Sequence, residues 1–99
     1  MSGEKNEEKH LNNKHQKTLQ SIFTDPIPAN IRWNEVESLF EALGAIIKTG
    51  SRSRRRVALN GVRAVFHEPH PEPDIDKGMV KSIRRFLESA GIEPPDSLT

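Results

Sequence analysis

Arg52–His67 reads RSRRRVALNGVRAVFH, two β-prone runs on either side of a turn dipeptide. Asn60-Gly61 at its centre is the strongest short-range hairpin signal, because a type I′ turn needs positive φ at both central residues. The turn also sets a register. Leu59 faces Val62, Val57 faces Ala64, and Arg55 lies near Phe66. On the opposite face Ala58 meets Arg63, Arg56 meets Val65, and Arg54 meets His67. One face of the hairpin is therefore mostly apolar and the other mostly basic.

Outward from the hairpin, Ala45–Lys48 (AIIK) is short and β-branched, bounded by Thr49-Gly50-Ser51. It reads as a strand preceding Arg52–Leu59 and Val62–His67. Upstream, Trp33–Gly44 (WNEVESLFEALG) places Val36, Leu39, Phe40 and Leu43 on one helical stripe. Asn34 with Glu37 suits a capping box, and Gly44 suits the stop. Trp33, just before that box, reads as a packing residue. Downstream, the prolines of Glu68–Asp76 (EPHPEPDID) exclude regular structure. Lys77–Ala90 is then a second helix, with Met79, Ile83, Phe86, Leu87 and Ala90 on its apolar stripe. Asp76 caps it, Gly91 stops it, and Arg84 and Arg85 sit near its last turns, where cations are favoured.

The order helix, three strands, helix predicts an α+β fold. A three-stranded antiparallel sheet carries both helices on one face and leaves the other open to solvent.

The 99 residues allow one small domain. Residues 1–17 contain one bulky apolar side chain past Met1, Leu11, and read as a disordered polar tail with His10 and His15 exposed and idle. Thr18–Ile31 is an apolar-speckled lead-in, interrupted by Pro26 and Pro28. The expected domain is 18–92, followed by a flexible tail at 93–99. With no Cys, a disulfide scaffold, Cys-ligated zinc and a thiol nucleophile are excluded. No apolar run approaches the roughly 20 residues of a membrane span, and the first residues lack an apolar signal region. A cytoplasmic location is expected.

The formal net charge of +1 hides a strong asymmetry. Lys48 to Phe66 carries six cations (Lys48, Arg52, Arg54, Arg55, Arg56, Arg63) and no acid, whereas His67 to Asp76 carries four acids. Alternation puts Arg52, Arg54, Arg56 and Arg63 on one face beside His67. Like charges side by side destabilise a sheet, so a partner anion is expected to offset them. Arginine's planar fork suits phosphate, and a basic patch is the footprint of nucleic-acid binding. Lys48, Arg52, Arg54, Arg56 and Arg63 are the expected RNA-binding residues. The plainer reading is an edge strand guarded by charge, although lysine would serve that purpose as well. No aromatic residue falls on this face, which favours backbone and shape contacts over reading of bases. His67 and His70 are the candidate acid/base groups, since histidine titrates near neutrality. Without Cys or helical spacing they make a poor metal pair, and no metal ligand set is expected.

Several short motifs, in this order and spacing, resemble the HicA family of prokaryotic toxins. They are Leu43-Gly44, Gly50-Ser51 opening a basic strand, Asn60-Gly61, His70-Pro71, Lys77-Gly78 and Ala90-Gly91-Ile92. The resemblance spans about residues 31–92. It implies a double-stranded-RNA-binding-like α-β-β-β-α fold, cleavage of mRNA, growth arrest, and neutralisation by a HicB-type antitoxin. It implies no metal or organic cofactor. The family's catalytic histidine follows the Gly-Ser directly, and this chain has Arg52 there. An arginine stays protonated and cannot act as a general base, but it can hold a phosphate or a developing negative charge. If the chain cleaves RNA, the base is expected to be His67 or His70. The alternative is a non-catalytic RNA-binding module, or a protein-interaction subunit whose basic ribbon docks an acidic antitoxin. The acidic loop could also fold back on the ribbon and neutralise it.

Overall fold

The computed structural model describes residues 11–94. Of the tails expected at 1–17 and 93–99, residues 1–10 and 95–99 lie outside the described residues. The elements are α1 (Asn13–Ile22), α2 (Trp33–Ala42), β1 (Ile46–Thr49), β2 (Arg54–Leu59), β3 (Val62–His67) and α3 (Lys77–Ser89). The strands form one antiparallel sheet in the order β1-β2-β3. This is the expected α+β architecture, α-β-β-β-α, with one more helix in front.

The hairpin register is the one dictated by Asn60-Gly61: Arg54 pairs with His67, Arg56 with Val65, Ala58 with Arg63, and Leu59 with Val62. Asn60 (φ 52) and Gly61 (φ 84) both take the left-handed conformation the turn requires. The Asn60 side chain also donates to the carbonyl of Ala90 (2.8 Å), tying the hairpin tip to the end of α3.

The inner face of the sheet contributes Val57, Leu59 and Phe66 to the core. Against them pack Val36, Leu39 and Phe40 of α2 and Val80, Ile83, Phe86 and Leu87 of α3. Trp33, Phe40, Phe66 and Phe86 form a connected aromatic cluster at its centre, with ring centroids 5.5–6.4 Å apart. Trp33 is thus a packing residue, and its Nε1–H donates to Glu37 (3.0 Å).

Several sequence expectations are corrected. α1 starts at Asn13, inside the segment read as a disordered tail, because Asn12 accepts from the amide of His15 (2.8 Å) as its N-cap. Its inward stripe runs Leu11, His15, Thr18, Leu19, Ile22; only Leu19 and Ile22 are buried apolar residues, so the pattern is weak in the sequence. His15 is half-buried and shares a hydrogen bond with Ser38 of α2 (3.0 Å), so it is not idle. The cap of α2 lies two residues earlier than expected: the carboxylate of Glu35 accepts from the amide of Arg32 (3.2 Å), and Glu37 is engaged by Trp33 instead. On α3 the buried stripe includes Val80, while Met79 is only half-buried. Arg84 serves α1 rather than its own helix. It donates to the carbonyls of Ile22 (2.9 Å) and Thr24 (3.2 Å), pairs with Asp25 (3.3 Å), and lies over the Phe23 ring. It thereby fills the unsatisfied C-terminal end of α1.

Candidate nucleic-acid interface

The outer face of the sheet is laid out in three rows. Ile46, Ala58 and Arg63 make one; Lys48, Arg56 and Val65 the next; Arg54 and His67 the last. Neighbours within a row are about 4.8 Å apart, and rows about 7 Å apart, from strand geometry alone. Lys48, Arg54, Arg56, Arg63 and His67 are all exposed. Among the described residues none of these cations has an acidic partner. The field of this face is therefore uncompensated, and it is available to an external anion.

Arg52 is not on the strand. β2 begins at Arg54, and Arg52 sits in the connecting turn with φ 57. The expected four-arginine face is therefore a three-arginine face, with Arg52 at its end. The turn is closed by the amide of Gly50 donating to Arg54 O (2.8 Å) and the amide of Arg54 donating to Ser51 O (3.1 Å). A β-carbon on Gly50 would come within 3.3 Å of the Arg54 Cβ, a tight contact that Arg54 would have to relieve by a shift of a few tenths of an ångström.

His67 stands directly opposite Arg54 at the same end of the sheet as the turn. His70 is exposed in the following loop and outside the sheet. The structure thus brings Arg54 and His67 together, and does not place His70 on the ribbon.

The acidic loop does not neutralise the ribbon. Asp74 forms a bridge with Arg32 and pairs with its side chain (3.9 Å), and Asp76 caps α3 through the amide of Met79 (2.8 Å). The amide of Ile75 donates to Ile31 O (2.9 Å), and that of Trp33 to Pro73 O (3.1 Å), so the loop is held at the start of α2. Of the loop's acids, Glu68 alone reaches the hairpin. It pairs with Arg55, whose guanidinium lies at the margin of the inner face.

Two residues of this surface were not singled out in the sequence. Ile46 and Val65 are 62% and 46% exposed, and lie among the cations. Val65 follows from the hairpin register; Ile46 needed the pairing of β1 with β2. A groove of about 760 Å³, lined among others by Lys14, His15, Arg32 and Ser38, runs between α1 and the start of α2 and shares no residue with the basic face. Among the described residues no group of three or more His, Asp or Glu side chains converges as a metal site, and no helix is long and apolar enough to cross a membrane.

The family model for the HicA toxin of bacterial toxin–antitoxin systems matches residues 33–92, from the first residue of α2 through the end of α3. The chain belongs to the HicA toxin family. No match is found among curated proteins or solved structures. The HicA match covers the three-stranded sheet, the basic face and the aromatic cluster; α1 and the passage to Ile31 precede it.

Proposed function

We propose that this chain is a toxin that binds RNA through the outer face of its sheet and cleaves it at the end where Arg54 and His67 meet. The observation that carries the reading is the group of exposed cations Lys48, Arg54, Arg56 and Arg63, without acidic partners among the described residues, on one face of a HicA-family domain. Arginine forks grip phosphate oxygens, and this face carries no Phe or Trp on which a base could stack. In the cleavage step, His67 takes the proton of a ribose 2′-hydroxyl. The oxygen attacks the adjacent phosphorus, a P–O2′ bond forms, and the P–O5′ bond breaks with the 5′-oxygen taking a proton from solvent, to which His67 then returns its own. Arg54 and Arg56 hold the charge that develops on the phosphoryl oxygens. The product is a 2′,3′-cyclic phosphate, and no outside co-reactant is consumed. His70 is the second candidate base, reaching the substrate from the loop.

The same reading places the protein in the cytoplasm with its mRNA and gives it a HicB-type antitoxin that covers this face. Ile46 and Val65 suit that role, since exposed apolar side chains among charges favour a protein partner as well as a phosphate backbone. Arg52, where the family has its catalytic histidine, favours a second reading: an RNA-binding module that no longer cleaves.

The test is induced expression of wild type, His67→Ala and His70→Ala in a bacterial host, with growth and mRNA integrity followed together. Arrest with mRNA loss in wild type, abolished by His67→Ala, is the expected result. Full arrest in both variants overturns both bases. Normal growth with intact mRNA, with purified protein still binding RNA in a salt-dependent way, selects the second reading.

A further inference from the structure

Arg52 occupies a backbone conformation in which arginine is uncommon and which asparagine or glycine adopts more readily. Glycine is present two residues away, but Gly50 lies close to Arg54 and does not take the left-handed position. A strained residue persists only where its surroundings hold it, and such residues cluster at binding sites. Here the surroundings are visible. The amide of Glu68 donates to Ser53 O (2.8 Å), extending the β2–β3 ladder into the turn. The Arg55 guanidinium donates to Arg54 O (3.2 Å) and pairs with the Glu68 carboxylate. The Ser53 carbonyl is therefore held from the β3 side, and the Arg54 carbonyl by the Gly50 amide together with the Arg55 guanidinium that Glu68 anchors.

We propose that Arg55 and Glu68 form a clasp that holds the Gly50–Arg54 turn in its left-handed form, so that Arg52 presents its guanidinium to the phosphate of a bound RNA. Arg52 is then an anion-binding residue, and Arg55 and Glu68 are positioning residues that act through it. This rests on the RNA-binding reading above. It assigns a role to the one cation of the ribbon that faces inward and to the one loop acid that reaches it.

Electrostatics alone and the clasp predict opposite signs for one substitution. Glu68→Gln removes a negative charge beside a basic face, and by charge alone it tightens RNA binding. The clasp predicts weaker binding. The experiment measures equilibrium binding of the full chain to a labelled 2′-O-methyl RNA hairpin, which cannot be cut by its own 2′-oxygen, across a salt series. Arg52→Asn is expected to leave the melting temperature equal or higher. It weakens binding by roughly tenfold, as for the loss of one charge-assisted contact, and lowers the salt slope by about 1. Glu68→Gln is expected to weaken binding in wild type and to have no further effect in the Arg52→Asn background, the non-additivity of residues acting as a unit. Tighter binding by Glu68→Gln, or additive losses, overturns the clasp while leaving RNA binding standing. Wild type that binds with no salt dependence overturns the RNA reading and the clasp with it. Should Glu68→Gln unfold, Arg55→Lys keeps the wild-type net charge but lacks the planar fork that reaches Arg54 O and the Glu68 carboxylate together. It is expected to weaken binding as Glu68→Gln does, and wild-type affinity in that folded variant overturns the clasp.

Discussion

The two faces of the sheet are built from alternate residues of the same strands, yet they answer to different demands. On β2, Val57 and Leu59 are 1% and 2% exposed and pack into an aromatic and aliphatic core, while Arg54 and Arg56 beside them stand in solvent. On β3, Phe66 joins the cluster with Trp33, Phe40 and Phe86, and its neighbours Val65 and His67 point outward. The inner face lowers the energy of the fold. The outer face raises it, since Lys48 and Arg56 are directly paired and Arg54 is one row away. An anion bound to this face would offset that repulsion, which is what the proposed function supposes.

The largest effect is expected at the core. Phe40 is fully buried and touches three other rings. Phe40→Ala is expected to lose about 3–5 kcal/mol, read from urea unfolding. Against a total of about 5–15 kcal/mol for a domain, that leaves a marginal fold. A loss below about 1 kcal/mol would mean that the cluster is not the centre of stability.

The next effect sharpens where the inner side ends. α1 lies outside the residues matched by the family, but Leu19 and Ile22 are 5% and 0% exposed within the same core, and Arg84 clamps the helix end. Leu19→Ala is therefore expected to lose about 2–5 kcal/mol in one cooperative transition. A separate early transition, or no loss, would make α1 an accessory rather than a part of the domain.

Asn60→Ala probes the join between hairpin and helix layer. It removes the bond to Ala90 O and forces alanine into a left-handed turn position. About 1–2 kcal/mol is the expected loss, with RNA binding retained in the folded protein. Asn60→Gly separates the two causes, because glycine restores the backbone freedom but not the bond.

The parts of this design that were legible in the sequence are those fixed by local chemistry. Asn60-Gly61 set the whole β2–β3 register, and the 3.6-residue spacing of Val36, Leu39 and Phe40 marked α2. What was not legible depended on interactions distant in sequence. α1 has polar residues at His15 and Thr18 on its inward stripe, and it becomes recognisable only when Ser38 and Arg84 meet it. The placement of Arg52 failed for a different reason. Period-2 alternation continued past Arg54 puts Arg52 on the face, but the strand ends where Gly50 and Arg54 close the turn. The acids of the loop were likewise visible as charges, while their destinations at Arg32, Arg55 and the α3 cap were not.

The smallest effect on the fold is expected from the largest change in charge. Arg54→Ala with Arg56→Ala removes two exposed cations with no ion-pair partner among the described residues. Surface changes of this kind stay within about 0.5 kcal/mol, and relief of the repulsion between Arg56 and Lys48 pushes the sign toward stabilisation. Binding of an RNA hairpin moves the other way. Without these two grips on phosphate, the slope of log affinity against log salt falls by about 2, and the affinity drops across all RNA sequences alike. Urea unfolding and a salt titration on the same preparation read both quantities. If the variant is less stable by more than about 1 kcal/mol, the arginines belong to the fold and the contrast between the faces collapses. If stability holds and RNA affinity does not change, the outer face is guarding an edge rather than gripping a polyanion.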